Sequence, residues 1–298
     1  MLLSTLLIAC SSSVPTLDEE PLSAALLVHE ESPRRKLWLF RESNGEFKRQ
    51  TPHIARDISS LGASVHRGEL TLTGICWWPG CGSPEEMAKR HELGPLVFGL
   101  STTDLDSWTP LQWRLVDPLH YTPIDPQLRV GESGLELWYF GVPGQAHRDP
   151  ADRSNHDIRR ATLGGDGRFY AEETVIRAPG LADPAPIEFK NNDLLFATQF
   201  AAESIVVYRG SPPQQVARFE GVSVPFPMVV DEELWLLATR VINGRPQAVR
   251  AISKDGIQFS EFSPFLPLGS EEVCASPVGA QLNGSTVVFC VEEPILPG

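Results

Sequence analysis

The sequence predicts an all-β chain organised as a closed ring of repeated small sheets, and three observations predict it. In 298 residues, 26 prolines and 24 glycines recur between short apolar runs, which is the punctuation of many strands and turns. Two alternating half-patterns repeat along the chain. The chain also opens on the second half of the unit and finishes on the first half, so one unit can be assembled from both ends.

The first half-pattern is an entry segment near a proline, a polar turn and an apolar strand. Ile124-Asp125-Pro126-Gln127-Leu128 leads through Gly131-Glu132-Ser133-Gly134 to Leu135–Phe140, and Ala182-Asp183-Pro184-Ala185-Pro186 leads through Asn191-Asn192-Asp193 to Leu194–Thr198. Val224-Pro225-Phe226-Pro227 with Glu233–Leu237, and Ser276-Pro277-Val278 with Thr286–Phe289, repeat it. Ser64-Val65 with Glu69–Thr73 is a weaker copy without proline.

The second half-pattern is an apolar strand, a turn rich in Asp, Asn and Gly, and an aromatic opening the next strand. It occurs from Leu37 to Phe47, Phe98 to Trp108, Ile158 to Phe169 and Ala251 to Phe259, with Ile205–Tyr208 before Gly210 as a degenerate fifth. Four strands per unit at intervals of roughly 40 to 65 residues are the signature of propeller blades. The expectation is a five-bladed β-propeller of four-stranded blades over residues 23–298, its last blade closed by both termini. Phe47, Trp108, Phe169 and Phe259 are expected to pack between blades.

Composition narrows function. A formal charge of −13 and a pI near 5.0 leave no basic surface to displace counterions from a phosphate backbone, so nucleic acid is excluded as a partner. There is no Gly-x-Ser-x-Gly, phosphate loop, dinucleotide fingerprint or His-Glu-x-x-His, so no cofactor is expected. His147 and His156 with Asp149, Asp152 and Asp157 read as a solvated polar loop, not as a metal site.

Residues 1–9 form an apolar run that is too short to span a bilayer. Leu7-Ile8-Ala9-Cys10 resembles the bacterial lipobox, which implies a signal peptide over 1–9, a lipidated Cys10, a polar tether over 10–22 and a place in the cell envelope, at the outer membrane. Four cysteines remain, an even number in an exported chain, and they pair locally as Cys76 with Cys81 and Cys274 with Cys290. The second pair flanks the Asn283-Gly284 hairpin signal.

In a propeller, side chains at the entrances of the innermost strands meet around one axis. Asp125 and Asp183 hold equivalent entry places, either as carboxylates in Asp-Pro turns or as ligand contacts. With these residues the chain resembles the five-bladed glycosidase superfamily of arabinanases, β-xylosidases and invertases, over most of residues 50 to 292. The resemblance implies that Asp125 is the helper acid that tunes the general acid, and that Asp183 stands where the family usually carries a Glu as general acid. At the place of the first catalytic Asp the sequence reads Ser60-Leu61-Gly62-Ala63-Ser64, with Asp57 the nearest acid. Glu188 and Glu271 are the remaining substitutes. Glycoside cleavage needs two carboxyls flanking the bond, one protonated and one ionised.

Cys76-Trp77-Trp78-Pro79-Gly80-Cys81 reads either as a recognition loop, whose rigid aromatic faces suit sugars, or as local core. His120, Tyr121 and Glu271 could line the same mouth. The expected function is therefore binding of a carbohydrate or an envelope protein by a lipid-anchored monomer without ordinary catalysis, the alternatives being a glycoside hydrolase using Asp125 and Asp183 with Asp57 or Glu271 as third acid, or a scaffold subunit with a broad apolar patch.

Overall fold

The computed structural model describes residues 36–56, 58–76, 96–117, 123–131, 134–141, 156–268 and 272–292. In chain order the strands are β1 (Lys36–Ser43), β2 (Glu46–Arg49) and the short β3 (Ala55–Arg56), followed by β4 (Ile58–His66), β5 (Glu69–Cys76), β6 (Leu96–Thr102) and β7 (Thr109–Val116). Next come β8 (Ile124–Gly131), β9 (Gly134–Gly141), β10 (Asp157–Leu163) and β11 (Arg168–Arg177), then β12 (Leu181–Phe189), β13 (Asn192–Gln199), β14 (Ser204–Arg209) and β15 (Gln214–Glu220). The last are β16 (Ser223–Val230), β17 (Glu233–Ile242), β18 (Arg245–Ser253), β19 (Ser263–Pro264), β20 (Ala275–Leu282) and β21 (Ser285–Glu292).

Among the described residues these strands form antiparallel four-stranded units β4–β7, β8–β11, β12–β15 and β16–β19, and a fifth in the order β2-β1-β21-β20. The fifth joins both ends of the chain, with Trp38 opposite Cys290 and Phe40 opposite Val288. The first strands β4, β8, β12, β16 and β20 pack each against the next, and β20 packs back on β4. The fold is thus a β-propeller, and the radial arrangement leaves the inner sheet edges short and turned toward a shared channel, where they are protected from templating aggregation. The outer strands β7 and β11 also pair in parallel through Phe169 and Leu115, which fuses two units into one sheet.

The half-patterns acquire physical reasons. The turn after β6 is built by Asp104, whose Oδ1 accepts the N–H groups of Asp106 (2.9 Å) and Ser107 (2.8 Å). After β18, Asp255 Oδ1 accepts those of Ile257 (2.8 Å) and Gln258 (2.7 Å). These carboxylates replace backbone partners in the turn, and the N–H donors hold both groups below the usual carboxylate range.

The aromatic that follows each such turn packs on the preceding blade, as expected. Phe47 meets Phe265 edge-on at 5.4 Å, Trp108 meets Phe289 at 5.8 Å, Phe169 meets Trp113 at 6.0 Å, and Phe259 meets Phe196 at 6.1 Å. The T-shaped geometry sets positive ring edges on negative faces. Cys274 and Cys290 form a disulfide across the β20–β21 hairpin, with Cα atoms 5.5 Å apart. Cys10 and Cys81 lie outside the described residues, and β5 ends at Cys76.

Candidate functional site at the blade-entry bulges

All five inner strands slip register at the same place. The shift falls between Ser59 and Gly62, Ile124 and Gln127, Ala182 and Ala185, Ser223 and Phe226, and Ala275 and Val278. A bulge bends its strand and re-aims one side chain. The residue before the proline is left-handed in four of these strands, with φ of 49° at Asp125, 50° at Asp183, 51° at Val224 and 53° at Ser276. Such a φ strains any residue with a Cβ, and a β-branched valine most. Because Val224 accepts it without any polar group to place, the conformation belongs to the blade and not to the acids. The fold therefore delivers Asp125 and Asp183 to neighbouring members of one ring, whose other members are Ser60, Val224 and Ser276.

Neighbouring blades grip these bulges. Thr73 Oγ1 donates to the Pro126 carbonyl at 2.6 Å, and Gln127 Nε2 donates to the Leu61 carbonyl at 3.2 Å. The N–H of Val224 donates to Thr198 Oγ1 at 2.8 Å, and that of Ser276 to Thr239 Oγ1 at 3.2 Å.

Asp125 and Asp183 line one pocket of about 10 Å³ at this end of the channel, with Leu61, Gln127, Val224, Pro225, Phe226, Pro277 and Val278. Asp183 is only 7 % exposed, and its Oδ2 has no hydrogen-bond partner. The turn-cap reading therefore does not hold for Asp183, whose carboxylate satisfies no backbone N–H. Glu188 is corrected as a substitute acid. It lies five residues farther along an extended strand, about 16 Å at 3.3 Å per residue, and lines the opposite mouth of the channel.

That opposite mouth is a cavity of about 370 Å³ bordered by Ser64, Arg129, Glu188 and Gln281. Val65, Val130 and Val229 stand exposed around it at equivalent places. Arg129 pairs with Asp193 of the next blade at 2.6 Å.

Asp57, Trp77, Trp78, His120, Tyr121, His147, Asp149, Asp152 and Glu271 lie outside the described residues. The described ends that border three of the segments carrying them, Cys76, Asp117 and Gly141, all lie at the bulge end, since Cys76 pairs with Ile58 and Phe140 with Ile124. His156 packs tilted against Phe140 with centroids 5.0 Å apart, and Asp157 accepts from Nε and Nη2 of Arg177, each at 2.9 Å. Among the described residues no three His, Cys, Asp or Glu side chains form a metal-binding group.

A buried network beside this end escaped the sequence reading. Asp117 Oδ2 accepts from Tyr139 Oη at 2.6 Å and from Arg159 Nε at 2.9 Å, and Arg159 also donates to Thr174 at 2.8 Å. Burial, then the hydrogen bond and charge of Asp117, push the Tyr139 phenol far above its usual value. The available signal was Arg159 within Ile158-Arg159-Arg160-Ala161, where a charge on the inward phase of a strand needs a buried partner.

Fold and site together define a β-propeller with two carboxylates at its blade-entry bulges, a fold shared with solved arabinanases and galactanases. The chain is similar to an α-L-arabinanase of Cellvibrio cellulosa, solved with arabinohexaose, at TM-score 0.57 and 12 % identity, over 80 % of this chain and 88 % of that one. An exo-1,5-α-L-arabinanase from a bovine ruminal metagenomic library aligns at 0.55 and 12 %, over 78 % and 92 % of the two chains. An exo-β-1,3-galactanase of Phanerochaete chrysosporium, solved with β-1,3-galactotriose, aligns at 0.56 and 10 %, over 86 % and 66 %. No family model and no curated protein matches the sequence.

Proposed function

We propose that the propeller binds a glycan at the bulge end of its channel without ordinary hydrolysis, on a chain held at a bacterial outer membrane by lipid on Cys10. The observation that carries this reading is the composition of the bulge ring: Ser60, Asp125, Asp183, Val224 and Ser276. If Asp125 is the helper and Asp183 the acid, as the resemblance implies, Ser60 holds the place of the carboxylate that must activate water or attack carbon. An acid and a helper can hold a glycosidic oxygen but cannot complete its displacement. Binding of arabinohexaose and galactotriose by similar folds supports a sugar as ligand, and Trp77, Trp78, His120 and Tyr121 are proposed as further contacts.

The test is to pass the full-length chain over immobilised arabinan, galactan, xylan and chitosan, and to assay reducing ends after prolonged incubation. Retention on at least one of these columns without released sugar is expected, and retention on none would remove the glycan reading. Turnover lost in Asp183→Asn would replace this reading with the hydrolase. For the anchor, fatty-acid labelling of cells should mark the chain, and Cys10→Ala should release it to the soluble fraction; an unlabelled native chain would remove the envelope assignment.

A further inference from the structure

We infer that the group seated in the bulge pocket is a primary ammonium, so that the glycan is an amino sugar with a free amine; this rests on the glycan reading above. The Asp183 carboxylate is more than nine-tenths buried, lines the pocket, and leaves Oδ2 without a hydrogen bond. A buried carboxylate without compensation is costly. Asp125 of the neighbouring blade brings a second carboxyl to the same pocket, and among the described residues no Lys or Arg lines it. The other described residues of the wall are apolar apart from Gln127, whose amide nitrogen donates to the Leu61 carbonyl. Such a site repels uronates and sulfated sugars and favours a cation.

Size selects among cations. About 10 Å³ is close to the space one water molecule requires. So narrow a space favours an ammonium, which is compact and presents three donors, over a planar guanidinium or a quaternary amine. Calcium takes 6–8 oxygen ligands, more than two carboxyls supply. A neutral sugar hydroxyl fits the space but leaves the charge uncompensated, and N-acetylation both removes the charge and adds bulk.

The experiment is calorimetric titration of the full-length chain at about 0.15 M salt, where surface attraction is screened beyond a Debye length of about 8 Å. Ligands are the glucosamine trimer, its fully N-acetylated form, arabinotriose, methylamine and calcium. The glucosamine trimer should bind about tenfold or more tightly than the acetylated one. Asp183→Asn should erase that preference, and Glu69→Gln, which removes the same charge from the surface, should keep it. Circular dichroism checks that both variants fold.

Equal or tighter binding of the acetylated trimer or arabinotriose overturns the ammonium inference and leaves the glycan reading standing. So does a preference that survives Asp183→Asn, or calcium binding that this variant abolishes. Methylamine binding lost in Asp183→Asn, with no oligosaccharide bound, keeps the ammonium site and overturns the glycan reading. Failure of every ligand overturns both.

Discussion

The Thr198 hydroxyl accepts the backbone N–H of Val224 at 2.8 Å, so the second strand of one blade holds the entry bulge of the next. Thr239 does the same for Ser276 at 3.2 Å. The bulge interrupts its own ladder and leaves that N–H without a partner from β17, since the register passes from Ser223 directly to Phe226. The threonine supplies the partner and fixes the angle at which neighbouring entry residues face the channel.

Thr198→Val keeps the volume of a fully buried side chain but strands the Val224 N–H. The expected loss is about 1–3 kcal/mol, the cost of leaving a buried donor unsatisfied. Urea unfolding of the variant should show a lower midpoint at an unchanged slope. Thr198→Ser, which restores the acceptor, should recover most of the loss.

Close approach between blades makes a second prediction. A Cβ at Gly62 would lie 2.5 Å from the Pro126 carbonyl oxygen and 2.5 Å from Thr73 Oγ1. Both belong to the seam in which Thr73 donates to Pro126, so neither can yield without opening it. Gly62→Ala should destabilise by about 1–3 kcal/mol through overpacking. Ala at Gly165, where a Cβ meets nothing within 4 Å, is the control and should change the melting temperature little.

These seams explain which parts of the architecture were legible in the sequence. The hairpins were readable because their signals are local: Asn283-Gly284 closes β20–β21, and Asp104 and Asp255 cap their turns through neighbours two and three residues away. Ring closure was readable from the order of the half-patterns, and Phe47, Trp108, Phe169 and Phe259 from their place after each turn. The equivalence of Asp125 and Asp183 came from the same periodicity. The isolation of Asp183 did not, because the lack of a hydrogen bond is set by chains that approach from other blades. Glu188 was misjudged for a related reason: its proximity to Asp183 in sequence becomes a separation along the channel once the strand is extended. The Asp117–Tyr139–Arg159 cluster joins residues 20 to 42 positions apart, and no local pattern links an acid at the end of one blade to an arginine in the next.

That cluster makes a pH-dependent prediction. The folded state raises the Tyr139 phenol well above its usual value, so the fold holds this proton more tightly than the unfolded chain does. Its contribution is therefore fully present below about pH 10, the ordinary tyrosine value, and is lost as the pH rises beyond it, when the unfolded chain ionises and the folded one does not. Urea midpoints measured from pH 8 upward should fall more steeply above about pH 10 in the native chain than in Tyr139→Phe. Arg159→Met leaves Asp117 buried without its cation and should cost about 3–5 kcal/mol at neutral pH.

The disulfide supplies the last prediction, because it sits where the ring is closed. Cys274 immediately precedes β20, Cys290 lies in β21 opposite Trp38 of β1, and both cysteines are buried. The bridge spans a sequence separation of 16, and a loop of that length implies about 3 kcal/mol of stabilisation by restricting the unfolded chain. Cys274→Ala combined with Cys290→Ala should lower the unfolding free energy by that amount, read as a lower urea midpoint that is insensitive to reductant, while the native chain should lose stability only when dithiothreitol is present. If reductant leaves the native midpoint unchanged, the bridge contributes nothing measurable, and the β20–β21 hairpin, on which β1 closes the ring through the β1–β21 ladder, is held by hydrogen bonds and packing alone.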